Sequence, residues 1–186
     1  LVDDARGLTG EQLGEIAKVQ RTLDHLVRLN RSLLLLSKID NGQFPETEEV
    51  DLAALARRTG EDMEEIYAHR RMRLSLHEET PLCVRMNPSL AGSLVGNLVK
   101  NAFVHGAEGG EVRVRIAERR FEIENDAAQG PLDAAHIFER FYQGTKKEGA
   151  TGLGLAIADA VCRLYGLRIA YAFRDGRHVF TVDFPQ

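Results

Sequence analysis

Two short segments set the terms for any fold of this chain: Asn97-Leu98-Val99-Lys100-Asn101-Ala102-Phe103-Val104-His105-Gly106, and Thr151-Gly152-Leu153-Gly154-Leu155 downstream. Two amide side chains four residues apart lie on one helical face, where their carbonyl oxygens can jointly meet a hydrated divalent cation and the phosphates it carries. A Gly-x-Gly turn that opens a second helix offers backbone N–H groups to the same phosphates. A fold that serves both segments must bring them together, which points to a nucleotide site in a compact domain.

Bulk properties narrow the alternatives. The chain has 186 residues, 44% hydrophobic and 28% charged, enough to bury one good core beside a smaller appendage. A formal net charge of -4 leaves no footprint for nucleic acid or anionic lipid, and neither is expected as a partner. Cys83 and Cys162 are too few and too far apart for a disulfide framework, which fits a reducing compartment. No apolar run approaches the roughly 18 residues of a membrane span, so no direct membrane contact is expected of this stretch. The start at Leu1 rather than Met is expected to mark a piece of a longer protein.

From Glu11 to Asp40 the residues Ile16, Val19, Leu23, Leu26 and Leu33 recur at threes and fours with Asn30 in the same stripe. This is a heptad seam with a register-fixing polar residue. Leu29, Leu34, Leu35 and Leu36 widen it, as an inner helix of a four-helix bundle requires; packing on its own globular domain is the alternative. Asp40-Asn41-Gly42 stops the helix, and residues 45–49 read as a polar linker. Asp51 is expected to cap a helix whose inner face carries Leu52, Leu55, Met63 and Ile66. Strands around Leu74 and Leu76 and around Leu82, Val84 and Met86 flank the turn 77–81. Pro88 and Ser89 start the helix bearing Asn97 and Asn101. A hairpin follows at 112–124, then a loop to about 134, an apolar cluster of Ile137, Phe138 and Phe141, and a Gly- and Lys-containing loop from Gln143 to Thr151. Phe138 and Phe141 are expected to pack under that loop. A helix over 153–165 and strands at 168–173 and 178–184 complete an α+β two-layer sandwich, with helices on one face of a mostly antiparallel sheet, preceded by a long bundle helix.

These segments resemble, in order and spacing, the catalytic and ATP-binding domain of bacterial sensor histidine kinases in the GHKL superfamily (Bergerat fold). NLVKNAFVHG resembles the N box, IENDAAQG stands at the G1 box, IFERFY resembles the F box and TGLGLAIADAV the G2 box; the preceding helix is similar to the second helix of the dimerisation and phosphotransfer domain. The resemblance implies a division into residues 1–44, helical, and 45–186, catalytic, with ATP and Mg²⁺ as ligands. Asn101 and Asn97 would hold the metal. Asn97 stands where the superfamily's ATPases carry a Glu general base, and an amide cannot accept a proton at neutral pH. Gly152, Leu153 and Gly154 would contact phosphate. Arg140, and after it Lys146 or Lys147, would neutralise charge during transfer. His105 and Thr181 fall near the adenine position. Asn125 stands where the G1 box has Asp, with Ala127 where Gly is usual; a slip of one residue would hand the adenine contact to Asp126.

The phosphoacceptor motif, like His-Glu-x-x-Thr-Pro, is absent from residues 1–15. His77-Glu78-Glu79-Thr80-Pro81 is one residue short of that spacing and lies at a strand turn, and His25 has neither the adjacent acid nor the Pro. Both are read as non-acceptors, with the acceptor expected upstream of Leu1. The resemblance therefore implies the kinase core of a two-component sensor, the cytoplasmic portion of an inner-membrane bacterial protein. It would form a homodimer through the bundle and have a response regulator receiver domain as partner. Rival readings are a GHKL ATPase, an anti-sigma serine kinase, and a degenerate nucleotide-binding or dimerisation module.

Overall fold

The computed structural model describes residues 9–144 and 150–185. It opens on α1 (Gly10–Asp40), whose start is fixed by a capping box. The Gln12 amide donates to Thr9 Oγ1 at 3.3 Å and the Thr9 amide to Gln12 Oε1 at 2.9 Å. It ends where Asn41 Nδ2 donates to the Ser37 carbonyl and Gly42 turns the chain at φ 64°.

A five-stranded sheet carries the rest: β2 (Arg73–Glu78), β4 (Glu111–Ala117), β5 (Arg120–Asp126), β7 (Arg177–Asp183) and β6 (Arg168–Arg174), in that spatial order. Only β2–β4 is parallel. The pleat sends Val112, Val114 and Ile116, Phe121 and Ile123, and Phe180 and Val182 into the core, in register with one another. Over that face lie α2 (Leu52–Ile66), α3 (Pro88–His105) and α4 (Gly154–Leu164). The central helix α3 is set by an Asn87 N-cap and Pro88 at N1, and it buries Leu90, Ala91, Leu94, Val95, Leu98, Val99, Ala102 and Phe103. The two-layer α+β sandwich and the long helix ahead of it are therefore as the sequence implied.

Three local readings are corrected, and one pairing that the sequence left open is fixed: the strands on either side of the turn at 77–81 go to different sheets. β2 joins the main sheet, whereas β3 (Cys83–Met86) pairs antiparallel with β1 (Glu48–Asp51) in a separate two-stranded ribbon. Residues 48–51 are thus a strand that takes up the end of the supposed linker; with Val50 as its one apolar residue, no alternation marks it, and its order comes from β3. Ile66 is 60% exposed because α2 ends there, at the edge of the layer. Phe141 is 57% exposed, since its φ of 68° turns the side chain outward, whereas Phe138 packs edge-on against Phe180.

Candidate functional site

Along α3 the residues Asn97, Lys100, Asn101, Val104 and His105 advance by three and four, so a polar stripe runs down one face while the opposite face fills the core. That stripe lines a cavity of about 930 Å³. A second wall is the start of α4, through Gly152, Gly154 and Leu155; a third is Leu132, Ile137, Tyr142, Gln143, Gly144, Ala150 and Thr151; Tyr67 and Arg70, and then Arg28, Arg31 and Ser32 of α1, complete it.

The start of α4 is built for close approach. Its N-cap, Leu153, makes no side-chain cap; the Leu153 amide donates to Thr151 Oγ1 at 3.4 Å, and among the described residues no side chain meets the Gly154 amide. Gly152 has φ 66°, and a Cβ there would lie 2.7–2.9 Å from the Phe141 backbone. A Cβ on Gly154 would lie 2.8 Å from Asn97 Oδ1. The Asn97 amide is held by Nδ2 donating to the Ser93 carbonyl at 2.7 Å, which leaves Oδ1 turned toward that helix start. The loop ends are tied together by Phe141 N to Gly152 O at 2.9 Å and Gln143 Nε2 to Ala150 O at 2.9 Å.

Charge on the walls is one-sided. Arg28, Arg31, Arg70 and Lys100 line the cavity, and among the described residues no Asp or Glu does. Arg70 is already engaged. Its guanidinium donates to the carbonyls of Phe103, Val104 and Gly106, closing the C-terminal end of α3. A cavity with surplus cations in a chain of net charge -4 fits an anionic ligand.

Of the sequence-predicted residues, Asn97, Asn101, His105, Gly152 and Gly154 line the cavity; the Leu153 side chain, between the two glycines, is buried in the core instead. Asn125 does not. It points inward from β5, 1% exposed, its Nδ2 donating to the Asp126 carbonyl, close behind Gly106. The pleat turns Asp126 the other way, where it accepts from the Glu111 amide and Arg177. Thr181 pairs with Glu122 on that same outer face and lines no part of the cavity. Arg140 is in an ion pair with Asp40, the last residue of α1, at 2.7 Å. Lys146 and Lys147 lie outside the described residues. Reading the sequence missed Arg70, Tyr67 and the α1 arginines. Lys100, inside the N-box segment, was within reach of the same spacing argument.

The thiols take no part. Burial, with Asp159 nearby, pushes Cys162 up to about 12, and Cys83 stands on β3 away from the cavity. Among the described residues no cluster of three His, Cys, Asp or Glu could hold a metal.

Residues 86–186 match the family described as histidine kinase-, DNA gyrase B- and HSP90-like ATPase. The heme sensor protein HssS of Staphylococcus saprophyticus is 28% identical over 178 residues, 92% of this chain and 38% of HssS. The chain thus spans about two fifths of the length of the curated relatives it matches. In fold it is similar to the Acinetobacter baumannii histidine kinase AdeS, with a TM-score of 0.72 at 20% identity over 97% of this chain and 87% of that one. It is also similar to full-length ShkA solved in complex with AMPPNP, with a TM-score of 0.77 at 23% identity over 96% of this chain and 40% of that one.

Proposed function

Because the chain belongs to the histidine kinase-, DNA gyrase B- and HSP90-like ATPase family, we propose that it is the ATP-binding kinase core of a two-component sensor histidine kinase. It binds Mg·ATP in the cavity between α3 and α4, and its γ-phosphoryl group goes to a histidine upstream of Leu1, for relay to a response regulator receiver domain. Residues 1–44 belong to the dimerisation and phosphotransfer bundle and 45–186 to the catalytic unit. The protein acts as a homodimer, in the cytoplasmic portion of an inner-membrane sensor.

The observation that carries this is the pairing of Asn97 and Asn101 with an uncapped helix start across a cavity in which no described carboxylate stands. Asn101 and Asn97 fit Mg²⁺ as neutral oxygen donors, the rest of its shell coming from phosphates and water. Bound there, the ion neutralises phosphate charge. The backbone N–H groups of Gly152, Leu153 and Gly154 hold phosphate oxygens. Neither amide can take a proton from water, so these walls bind and orient the triphosphate without activating its hydrolysis. That suits phosphoryl transfer to a protein acceptor, where positioning and electrostatics supply most of the catalysis. Arg140 reaches the transferring group only after releasing Asp40, and Lys146 adds charge from the loop. His105 serves the adenine end, and Asn125, buried behind Gly106 and off the cavity, takes part only where the base displaces that segment.

One observation favours a second reading, a degenerate binding module: Asn125, a neutral amide where the resemblance puts a charged acceptor, is 1% exposed and lines no part of the cavity. A phosphorylation assay with γ-labelled ATP and Mg²⁺ on a chain extended upstream of Leu1 separates the two. Acid-labile, base-stable label on the protein is expected; the absence of protein-bound label with nucleotide bound would leave the module.

A further inference from the structure

The resemblance gives α1 no part in binding nucleotide, yet α1 is a wall of the cavity. Its positions 28, 31, 32, 35, 36 and 39 advance by threes and ones, so they share one face. At the C-terminal end that face is apolar and closed. Leu36 and Ile39 are 1% and 3% exposed within the common core, and Leu35 packs against it. One turn earlier the same face meets the cavity, and its side chains become Arg28, Arg31 and Ser32. The change from leucine to arginine falls where the surface opposite changes from packed core to open cavity.

Neither guanidinium has an ion-pair partner among the described residues, and with Lys100 they put three uncommitted cations around one cavity. Like charges one turn apart on a helix repel. A polyanion held between them relieves that repulsion and gains charge-assisted hydrogen bonds from two planar donors suited to phosphate.

Building on the nucleotide reading above, we propose that Arg28 and Arg31 are positioning residues for the polyphosphate. The bundle helix thereby completes the nucleotide site, and affinity for the triphosphate depends on where α1 is seated. They leave the base and sugar untouched.

Calorimetric titration of the whole chain with Mg·ATP and, separately, with adenosine, at low and high salt, tests this. Arg28→Gln/Arg31→Gln is expected to raise the Kd for Mg·ATP about tenfold or more, leave that for adenosine unchanged, and flatten the salt dependence. Arg28→Lys/Arg31→Lys restores part of the affinity, and Lys18→Gln, which removes an exposed charge from the same helix far from the cavity, changes nothing. Unchanged Mg·ATP affinity in the double Gln variant, or equal losses for ATP and adenosine, overturns the role of α1 while the nucleotide site stands. If the unaltered chain binds neither ligand, the nucleotide reading fails and takes this one with it.

Discussion

Gly154 isolates binding from folding at the scale of one residue. A methyl there meets only the far end of the Asn97 side chain, at 2.8 Å, so the helix keeps its shape while the amide is pushed aside. Gly154→Ala is expected to leave the melting temperature within about 2 °C, since an ordinary helix position tolerates Ala, but to weaken Mg·ATP binding severalfold by titration. Equal affinity would show that the Asn97 oxygen has no part in the site. His178 gives a pH test. Burial holds its pKa below the ordinary imidazole value, and its Nδ1 lies 2.9 Å from the Tyr171 hydroxyl. The unfolded chain gains this proton near pH 6.5 and the folded one only at lower pH. The stability of the neutral, buried ring is therefore complete above about pH 6.5 and is lost as pH falls through the lower folded value. Thermal melts between neutral and mildly acid pH should fall more steeply for the unaltered chain than for His178→Gln; parallel slopes would contradict this.

At the scale of elements, the sequence disclosed what periodicity and turn chemistry encode locally. The α3 stripe from Asn97 to His105, the Gly152–Gly154 turn and the hairpin of β4 and β5 could all be read because each depends on neighbours within a few residues. What could not be read was partner choice. β1 has too little alternation to announce itself, and β2 and β3 are separated by a turn that invites a hairpin, yet each finds a partner distant in sequence. Arg70 and Tyr67 reach the cavity from a single 3₁₀ turn and its start, a placement that no local pattern encodes. The pleat sends Asn125 into the core and Asp126 outward, and neither lines the cavity. The end of α1 makes its own prediction. Leu36 lies in the core shared with the sheet and α4, so Leu36→Ala should cost about 2–5 kcal/mol in denaturant unfolding. A cost below about 1 kcal/mol would mean that α1 is not part of the core, given what a well-packed leucine contributes.

At the scale of the whole molecule, two surfaces remain to be satisfied. The first is the α1 seam: Ile16, Val19, Leu23, Leu26 and Leu33 are all well exposed, a row that self-association through a bundle would cover. Leu26→Asp/Leu33→Asp should shift the chain to monomer in light scattering without reducing helix content; an unaltered mass would show that this row is not the interface. The second is the cavity, where neutral amides, the start of α4 and cations without an ion-pair partner among the described residues converge. Calorimetric titration with Mg·AMPPNP, comparing the unaltered chain with Asn101→Ala, decides whether these groups hold nucleotide. Saturable one-to-one binding is expected, weakened about tenfold or more by loss of the Asn101 oxygen. A folded chain that shows no saturable heat into the millimolar range, or an Asn101→Ala variant that binds as tightly as its parent, would contradict it.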